Sequence, residues 1–328
     1  MFPSNPALAR GPAPSASRLR WSVKRKAVGI YRELITENMS QDENIYQVVG
    51  EQSLPWLRQR SFAITIRRPG PVAIGSGVVV QLAGRTFLAT VAHNFAGVNE
   101  SFEPKDIHVT SLSSSEFVDL KVPEWRLLPS WAELPSENIG PWKDLAWAEV
   151  DPQEVRRAGL VGVSVGELLP EAVLREDQLY AVTGMHWHSQ VRYSESSAVL
   201  DYRGEPVINS IVEFTFDCRF TNPVQTPVTD DELTFIYGRQ TINRDRTQVA
   251  GRAPDGMSGG GVWEISLTGS IEKPRNIQRL VGLVRATQGE RILTIPIERW
   301  LSFVVSGNSD LHERLAGAPP NPGPQTDG

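Results

Sequence analysis

From residue 61 onward, apolar and polar side chains alternate along short segments, and this period of two constrains the fold more than any other feature. The clearest segment runs from Val212 to Phe220, where every second residue is apolar and each residue between them is polar. Successive side chains of a β-strand point to opposite faces, so the pattern predicts a strand with one buried face. An all-β fold is therefore expected.

Two sets of six such segments are separated by clusters of Gly, Pro, Ser and Asn, which favour turns. The first set covers residues 62–66, 77–82, 86–92, 107–112, 117–122 and 145–150. The second set covers residues 179–183, 208–220, 233–237, 261–265, 279–287 and 291–295. We expect each set to form one six-stranded antiparallel β-barrel.

Helical periodicity flanks the two sets of strands. Residues 22–37 carry apolar side chains at steps of three and four, which predicts an added N-terminal helix, and residues 296–305 predict a closing helix. The expected organisation is a disordered leader (1–21), a helical extension (22–59), a first barrel (60–155), a second barrel with the closing helix (156–305) and a disordered Pro/Gly-rich tail (306–328).

Composition excludes several classes of protein. Cys218 is the single cysteine, so no intramolecular disulfide can form, which favours a reducing, cytoplasmic location. Its place in an apolar row predicts a core residue and not a nucleophile. The net charge of −5 offers no footprint for nucleic acid, and no apolar run is long enough for a membrane span. The leader lacks the apolar segment of a signal peptide; an organelle-targeting segment is the alternative, against which its prolines count.

The segment from Asp255 to Val262 places Ser258 inside a cluster of glycines that runs directly into an apolar strand. A serine hydroxyl is a poor nucleophile unless a base takes its proton, and the oxyanion that its attack creates needs fixed N–H donors. Glycines allow the backbone to turn its N–H groups inward. The segment therefore fits a nucleophile, although glycine-rich turns before strands are also common in proteins without this chemistry.

Two further segments carry the partners that such a nucleophile needs. His93 ends an apolar strand that begins at Thr86, and Asp144 opens the alternating strand that ends at Val150. Each residue alone is more often structural, the histidine as a satisfied polar group and the aspartate as a turn residue. The order His93, Asp144, Ser258 is that of a known Ser-His-Asp constellation.

These segments resemble the motifs of trypsin-like serine peptidases of the chymotrypsin superfamily, here of the intracellular, disulfide-free bacterial type. Val91-Ala92-His93 resembles the family's Ala-Ala-His, Asp144-Leu145-Ala146 its Asp-Ile-Ala, and Gly256-Met257-Ser258-Gly259-Gly260 its Gly-Asp-Ser-Gly-Gly. Glycine-containing strands at 75–80 and 280–284 match the flanking strands, and the likeness covers residues 60 to 305.

The resemblance implies a chymotrypsin-like double barrel and a serine endopeptidase acting on a protein or peptide substrate. Ser258 would be the nucleophile, His93 the general base and Asp144 the residue that orients the imidazole. The backbone N–H groups of Gly256 and Ser258 would form the oxyanion hole. No cofactor or metal is implied, because an isolated pair of histidines, His186 and His188, has no third ligand at a recognisable spacing.

Two departures from the family pattern, at Met257 and Arg285, and two candidate pocket residues, Arg252 and Thr287, bear on control and specificity. Met257 stands where zymogen-type members carry an aspartate that pairs with a freed N-terminus, so we expect no activation by N-terminal trimming. Arg252, six residues before the nucleophile, is a candidate for the base of the substrate pocket with a preference for acidic side chains, or else a solvated loop residue; Thr287 is a candidate wall residue. Arg285 replaces a serine that is common near the triad aspartate, and the sequence leaves its orientation open.

Three function classes are compatible with these observations. The leading one is an active intracellular endopeptidase with a protein substrate. The others are a catalytically silent module that binds a partner, against which the intact triad argues, and a partner-gated effector within a multi-protein system. A regulatory protein partner is thus a further possibility, whereas nucleic acid and membrane are not expected as partners.

Overall fold

Two antiparallel β-sheets, one from each half of the chain, make up the body of the computed structural model. It describes residues 52–66, 73–95, 107–111, 118–127, 143–170, 174–175, 178–188, 199–200, 206–207, 213–224, 232–237, 240–242, 248–250, 256–270 and 273–317. The leader, the helix expected at 22–37 and Arg252 lie outside these residues. The all-β class and the double-barrel architecture expected from the sequence are confirmed.

The first sheet contains seven strands, one more than expected. Each of the six expected segments forms a strand, and a two-residue strand is added at the edge, where it pairs with the segment after Asp144. Two residues are too few to show a period, which is why no sequence pattern predicted this strand. The strands are β1 (Ser61–Ile66), β2 (Ala73–Leu82), β3 (Arg85–Thr90), β4 (Ile107–Ser111), β5 (Val118–Leu120), β6 (Arg126–Leu127) and β7 (Ala146–Val150), in the order β5-β4-β1-β2-β3-β7-β6.

The second half contributes β8 (Leu179–His188), β9 (Val199–Leu200), β10 (Pro206–Val207), β11 (Glu213–Thr221), β12 (Leu233–Ile236), β13 (Gln240–Ile242), β14 (Gln248–Ala250), β15 (Gly261–Ser270), β16 (Lys273–Gln288) and β17 (Arg291–Pro296). Six of them form one sheet in the order β11-β8-β15-β16-β17-β12, as expected, while β9 with β10 and β13 with β14 form separate two-stranded ladders.

Four helices flank the sheets in the described part of the chain: α1 (residues 52–58), α2 (Pro152–Arg157), α3 (Ile297–Ser306) and α4 (Ser309–Gly317). The closing helix expected at 296–305 is α3. The disordered tail expected from residue 306 is wrong for residues 309–317, because Leu311 of α4 is completely buried in the core. Burying such a side chain contributes roughly 1.5–3 kcal/mol, which ties this helix to the body.

A shared apolar core joins the two sheets. Each sheet also has a core of its own, centred on Phe62 and Leu88 in the first and on Tyr180 and Phe235 in the second. The shared cluster unites strands of both sheets with the flanking helices and includes Leu57, Val78, Phe87, Trp147, Trp263, Leu280, Leu283, Trp300, Val304 and Leu311. The sheets are therefore fixed relative to each other by apolar packing.

Cys218 lies on β11 and packs against the apolar clusters, as its sequence context predicted. The residue is partly exposed, but its thiol is desolvated, and this burial raises the pKa of Cys218 to about 12. A thiol protonated at neutral pH is a poor nucleophile. Within the described residues, no helix has the length and apolar character needed to span a membrane.

Candidate active site

His93 lies directly after β3, in a single turn of 3-10 helix formed by Ala92–Asn94. Its two neighbours in this turn are buried, whereas the His93 side chain is 34% exposed. The half-exposed imidazole thus lies at the carboxyl end of β3, a buried strand in the interior of the first sheet.

Asp144 is positioned beside His93 by the pairing of β3 with β7, in which Thr90 lies opposite Ala146. The Asp144 side chain is only 5% exposed. Its Oδ2 lies 2.7 Å from His93 Nδ1, and its Oδ1 accepts a hydrogen bond of 2.9 Å from the backbone N–H of His93. A carboxylate at Nδ1 favours the tautomer with a proton on that nitrogen, so Nε2 is left as the proton acceptor.

Ser258 lies in the tight turn that precedes β15, and the conformation of this turn depends on glycine. Gly259 has a φ of +86°, and a Cβ atom there would lie 2.1 Å from the carbonyl oxygen of Ser76. At Gly260, a Cβ atom would lie 1.9 Å from the carbonyl oxygen of Thr183. Backbone hydrogen bonds from Gly259 to Val284 O (2.7 Å) and from Val284 to Gly260 O (2.8 Å) fix the turn against β16.

The turn that carries Ser258 is also docked onto the first sheet by polar contacts. The carbonyl oxygen of Ser258 accepts hydrogen bonds from the backbone N–H of Ser76 (2.7 Å) and from Asn94 Nδ2 (3.0 Å). The Ser76 hydroxyl donates to Gly256 O (2.7 Å) and accepts from the backbone N–H of Met185 on β8 (2.7 Å). The nucleophile candidate from the second sheet is therefore held next to the turn that carries His93.

The backbone N–H groups of Gly256 and Ser258, expected to form an oxyanion hole, donate no hydrogen bond to any residue that the structure describes. Gly256 has a φ of +89°, a conformation that glycine adopts without strain. Unpaired donors of this kind are what the developing charge of an acyl-transfer transition state requires.

Ser258 is half-buried, and its hydroxyl donates a long hydrogen bond of 3.4 Å to the carbonyl oxygen of Arg285. Among the contacts of the described residues, no hydrogen bond joins this hydroxyl to the His93 ring. Such bonds are often long or misaligned before substrate binds and tighten only in the complex.

The side chain of Arg285, whose orientation the sequence left open, faces Asp144. Its Nε lies 3.7 Å from Asp144 Oδ2, and its Nη1 donates a hydrogen bond of 2.8 Å to Glu232 Oε1. Sequence reasoning missed Glu232, Asn94 and Ser76 as parts of the site. The adjacency of Asn94 to His93 was the one available signal, because nothing near Glu232 in the sequence connects it with the triad segments.

The described residues add little to what the sequence predicts about substrate specificity and metal binding. Arg252 is not among them, and Thr287 is exposed on β16, two residues after Arg285. His186 and His188 lie on β8 opposite Thr215 and Glu213. The described residues contain no group of three or more His, Cys, Asp or Glu that could hold a metal ion.

Solved structures with a similar fold include serine proteases. A thermostable serine protease, AL20, from an extremophilic microorganism is 11% identical, with a TM-score of 0.46; the match covers 76% of this chain and 99% of the other. An inactivated protease paralogue of the scabies mite is 11% identical, with 79% and 96% covered and a TM-score of 0.46. Human heparin binding protein is also 11% identical, with 82% and 96% covered and a TM-score of 0.44.

No protein-family model and no curated protein matches the sequence. With identities this low, the activity of the chain has to be inferred from its own site.

Proposed function

We propose that this protein is a serine endopeptidase that hydrolyses peptide bonds of a protein substrate through His93, Asp144 and Ser258. The observation that carries the proposal is the pair of contacts from Asp144 to His93, at 2.7 and 2.9 Å, beside a serine held in a glycine turn. A buried carboxylate that binds both the ring and the backbone of one histidine fixes the orientation and tautomer of that imidazole.

In this mechanism the Ser258 hydroxyl attacks the carbonyl carbon of the scissile peptide bond while His93 Nε2 takes its proton. Asp144 stabilises the imidazolium that results. The backbone N–H groups of Gly256 and Ser258 bind the oxyanion. His93 then returns the proton to the leaving amine, and water hydrolyses the acyl-enzyme by the same steps in reverse order.

Labelling with a fluorophosphonate probe, which reacts with activated serine hydroxyls, tests the proposal without knowledge of the substrate. The native chain should be labelled, and Ser258→Ala and His93→Ala should each abolish labelling. Ser302→Ala, on the exposed side of α3, and His108→Ala, on β4, are matched controls that should retain it. Undiminished labelling of Ser258→Ala would contradict the assignment of the nucleophile.

A partner-gated form of the same enzyme is the second candidate, and the hydrogen bond from the Ser258 hydroxyl to Arg285 O favours it. A hydroxyl that donates to a backbone carbonyl must turn before it can donate to His93. In that case labelling of the purified chain would be absent and would appear on addition of cell extract. Labelling of the purified chain alone supports the constitutive enzyme.

A further inference from the structure

Arg285 occupies a β-bulge. Along β16, Val284 pairs with Thr294 of β17 and Ala286 pairs with Leu293, so two consecutive partners face three consecutive residues and Arg285 is the additional one. A bulge re-aims a side chain that regular pairing would direct elsewhere, and bulges are frequent next to active sites. At this bulge the carbonyl oxygen of Arg285 accepts a hydrogen bond from the Ser258 hydroxyl, and the guanidinium of Arg285 lies next to the Asp144 carboxylate. One residue therefore contacts two of the three triad members.

Two buried carboxylates share the guanidinium of Arg285. The side chains of Asp144 and Glu232 are 5% and 2% exposed, whereas that of Arg285 is 24% exposed. The contact with Glu232 is a hydrogen bond of 2.8 Å, while the 3.7 Å to Asp144 Oδ2 is too long for one. Glu232 therefore fixes where the guanidinium points.

The Asp144 oxygen that faces Arg285 is the one that binds His93 Nδ1. A guanidinium free to move closer would compete with the imidazole for Oδ2 and would partly neutralise the carboxylate. Lys143, which precedes Asp144, is the other charged neighbour in sequence and is partly exposed. Among the described residues, Arg285 on β16 is thus the charged side chain that contacts Asp144 besides His93, and Glu232, just before β12, binds the guanidinium of Arg285.

We propose that Glu232 and Arg285 form a charge-balanced positioning pair for the triad. The guanidinium of Arg285 interacts with Asp144 Oδ2. Its hydrogen bond to Glu232 prevents it from moving closer, so the negative charge of Asp144 remains available to stabilise the protonated His93 ring. With His93 neutral, the formal charges of Arg285, Asp144 and Glu232 sum to −1; when His93 takes the proton of Ser258, the sum becomes zero. Without Glu232 the same step would create a net positive charge in a partly buried site.

The proposal rests on the proposed function, and its test has a readout that needs no activity. NMR would follow the titration of the His93 ring in a Ser258→Ala background; the chain has five histidines, and His93→Gln assigns the signal. We expect the titration midpoint to move to lower pH in Glu232→Gln, to higher pH in Arg285→Gln, and to return close to the native midpoint in the double variant.

The rate of fluorophosphonate labelling against pH is the second readout. Glu232→Gln should lower the maximal rate by about 10- to 100-fold, which one charge contact is able to produce, and should shift the acid limb of the profile to lower pH. The double variant should recover most of the loss. If Glu232 and Arg285 only stabilised the fold, the titration midpoint of His93 would be unchanged in every folded variant. That result would overturn the proposal.

Arg285→Lys and Arg285→Gln repeat the test if Glu232→Gln does not fold. Lys keeps the charge, so its midpoint should stay near the native one, whereas Gln removes the charge and should move it. Equal midpoints for these two variants would also overturn the proposal. Absence of labelling of the native chain both with and without cell extract, together with the expected shifts in NMR, would reject the peptidase activity and retain the electrostatic coupling.

Discussion

The side-chain amide of Asn94 donates a hydrogen bond of 3.0 Å to the backbone carbonyl oxygen of Ser258, although the two residues lie 164 positions apart in the sequence. The same amide nitrogen donates to Thr90 Oγ1 at 2.9 Å, and Asn94 itself is buried. Because Asn94 directly follows His93, this contact couples the turn of the proposed base to the turn of the proposed nucleophile across the two sheets.

Replacing Asn94 by Ala should therefore affect both stability and reactivity. The free energy of unfolding should fall by roughly 1–3 kcal/mol, because Ser258 O and Thr90 Oγ1 each lose one of their hydrogen-bond partners. Denaturant unfolding measures this loss, and the rate of fluorophosphonate labelling should fall by about tenfold or more. Asn308→Ala is the matched control: its amide donates to Val304 O at the end of α3, so stability should drop without loss of labelling. Equal labelling of Asn94→Ala and the native chain would contradict the coupling.

Asp144→Asn tests the orientation of the imidazole without removing the side chain. An amide nitrogen facing His93 Nδ1 would favour a proton on Nε2, which could then no longer accept one from Ser258. By analogy with Ser-His-Asp enzymes, we expect turnover or labelling to fall by on the order of 10⁴. Asp151→Asn, at the N-cap of α2, is the control and should label at the native rate. Normal labelling of Asp144→Asn would reject the triad as proposed.

Met257 anchors the turn that carries Ser258 by apolar packing. It is 1% exposed and lies in the core cluster of the second sheet with Tyr180, Val182 and Phe235. Met257→Asp would bury a carboxylate among these side chains and should destabilise the fold by several kcal/mol, whereas Met257→Leu should cost less than about 1.5 kcal/mol.

The reactivity of the protein toward the fluorophosphonate probe should not depend on trimming of the N-terminus, because Met257 cannot form an ion pair with a new N-terminal amine. Mass spectrometry of the labelled protein should find the same N-terminus as in the unlabelled protein. A new N-terminus, buried in the labelled fraction and missing from the unlabelled one, would contradict this prediction.

Gly259 and Gly289 are a matched pair of positions that tests whether the turn carrying Ser258 requires glycine for steric reasons. Both have positive φ, +86° and +63°, but a Cβ atom would lie 2.1 Å from Ser76 O at Gly259 and would meet nothing within 4 Å at Gly289. Gly289→Ala should cost about 1–2 kcal/mol through backbone strain alone. Gly259→Ala should cost clearly more in thermal unfolding and should abolish labelling. Equal destabilisation by both substitutions would show that the close approach to Ser76 is not limiting.

The buried thiol of Cys218 should make the free energy of unfolding depend on pH in the alkaline range. Burial raises the pKa of its thiol to about 12, above the value of an unfolded cysteine, so the folded state retains a proton that the unfolded state releases. This contribution to stability is complete below about pH 8.5 and is lost as the pH rises toward 12. Denaturant unfolding of the native chain and of Cys218→Ala between pH 7 and 10 should show a steeper alkaline decline in the native chain. Rapid alkylation of the folded native chain at pH 8 would contradict the burial.

Most of the fold followed from local patterns. The alternation from Val212 to Phe220 predicted most of β11 because alternation is a property of successive side chains, and the same holds for the other strands. Trp300 and Leu311 were not predicted as core residues. The helices α3 and α4 bury these side chains because both sheets present a common apolar surface to them. The edge strand β6 depends in the same way on a partner, β7, that supplies its hydrogen bonds.

By itself, the sequence determined the all-β class, the two sets of strands and the three local segments that carry His93, Asp144 and Ser258. Alternation, turn-forming glycines and strand-end residues act over a few positions, so a reader of the sequence can recognise them. Only the tertiary structure decided that Arg285 faces Asp144, that Glu232 binds Arg285 and that Asn94 reaches Ser258. These contacts join residues on separate strands, and their existence depends on sheet register and on a single bulge in β16, which no local pattern specifies.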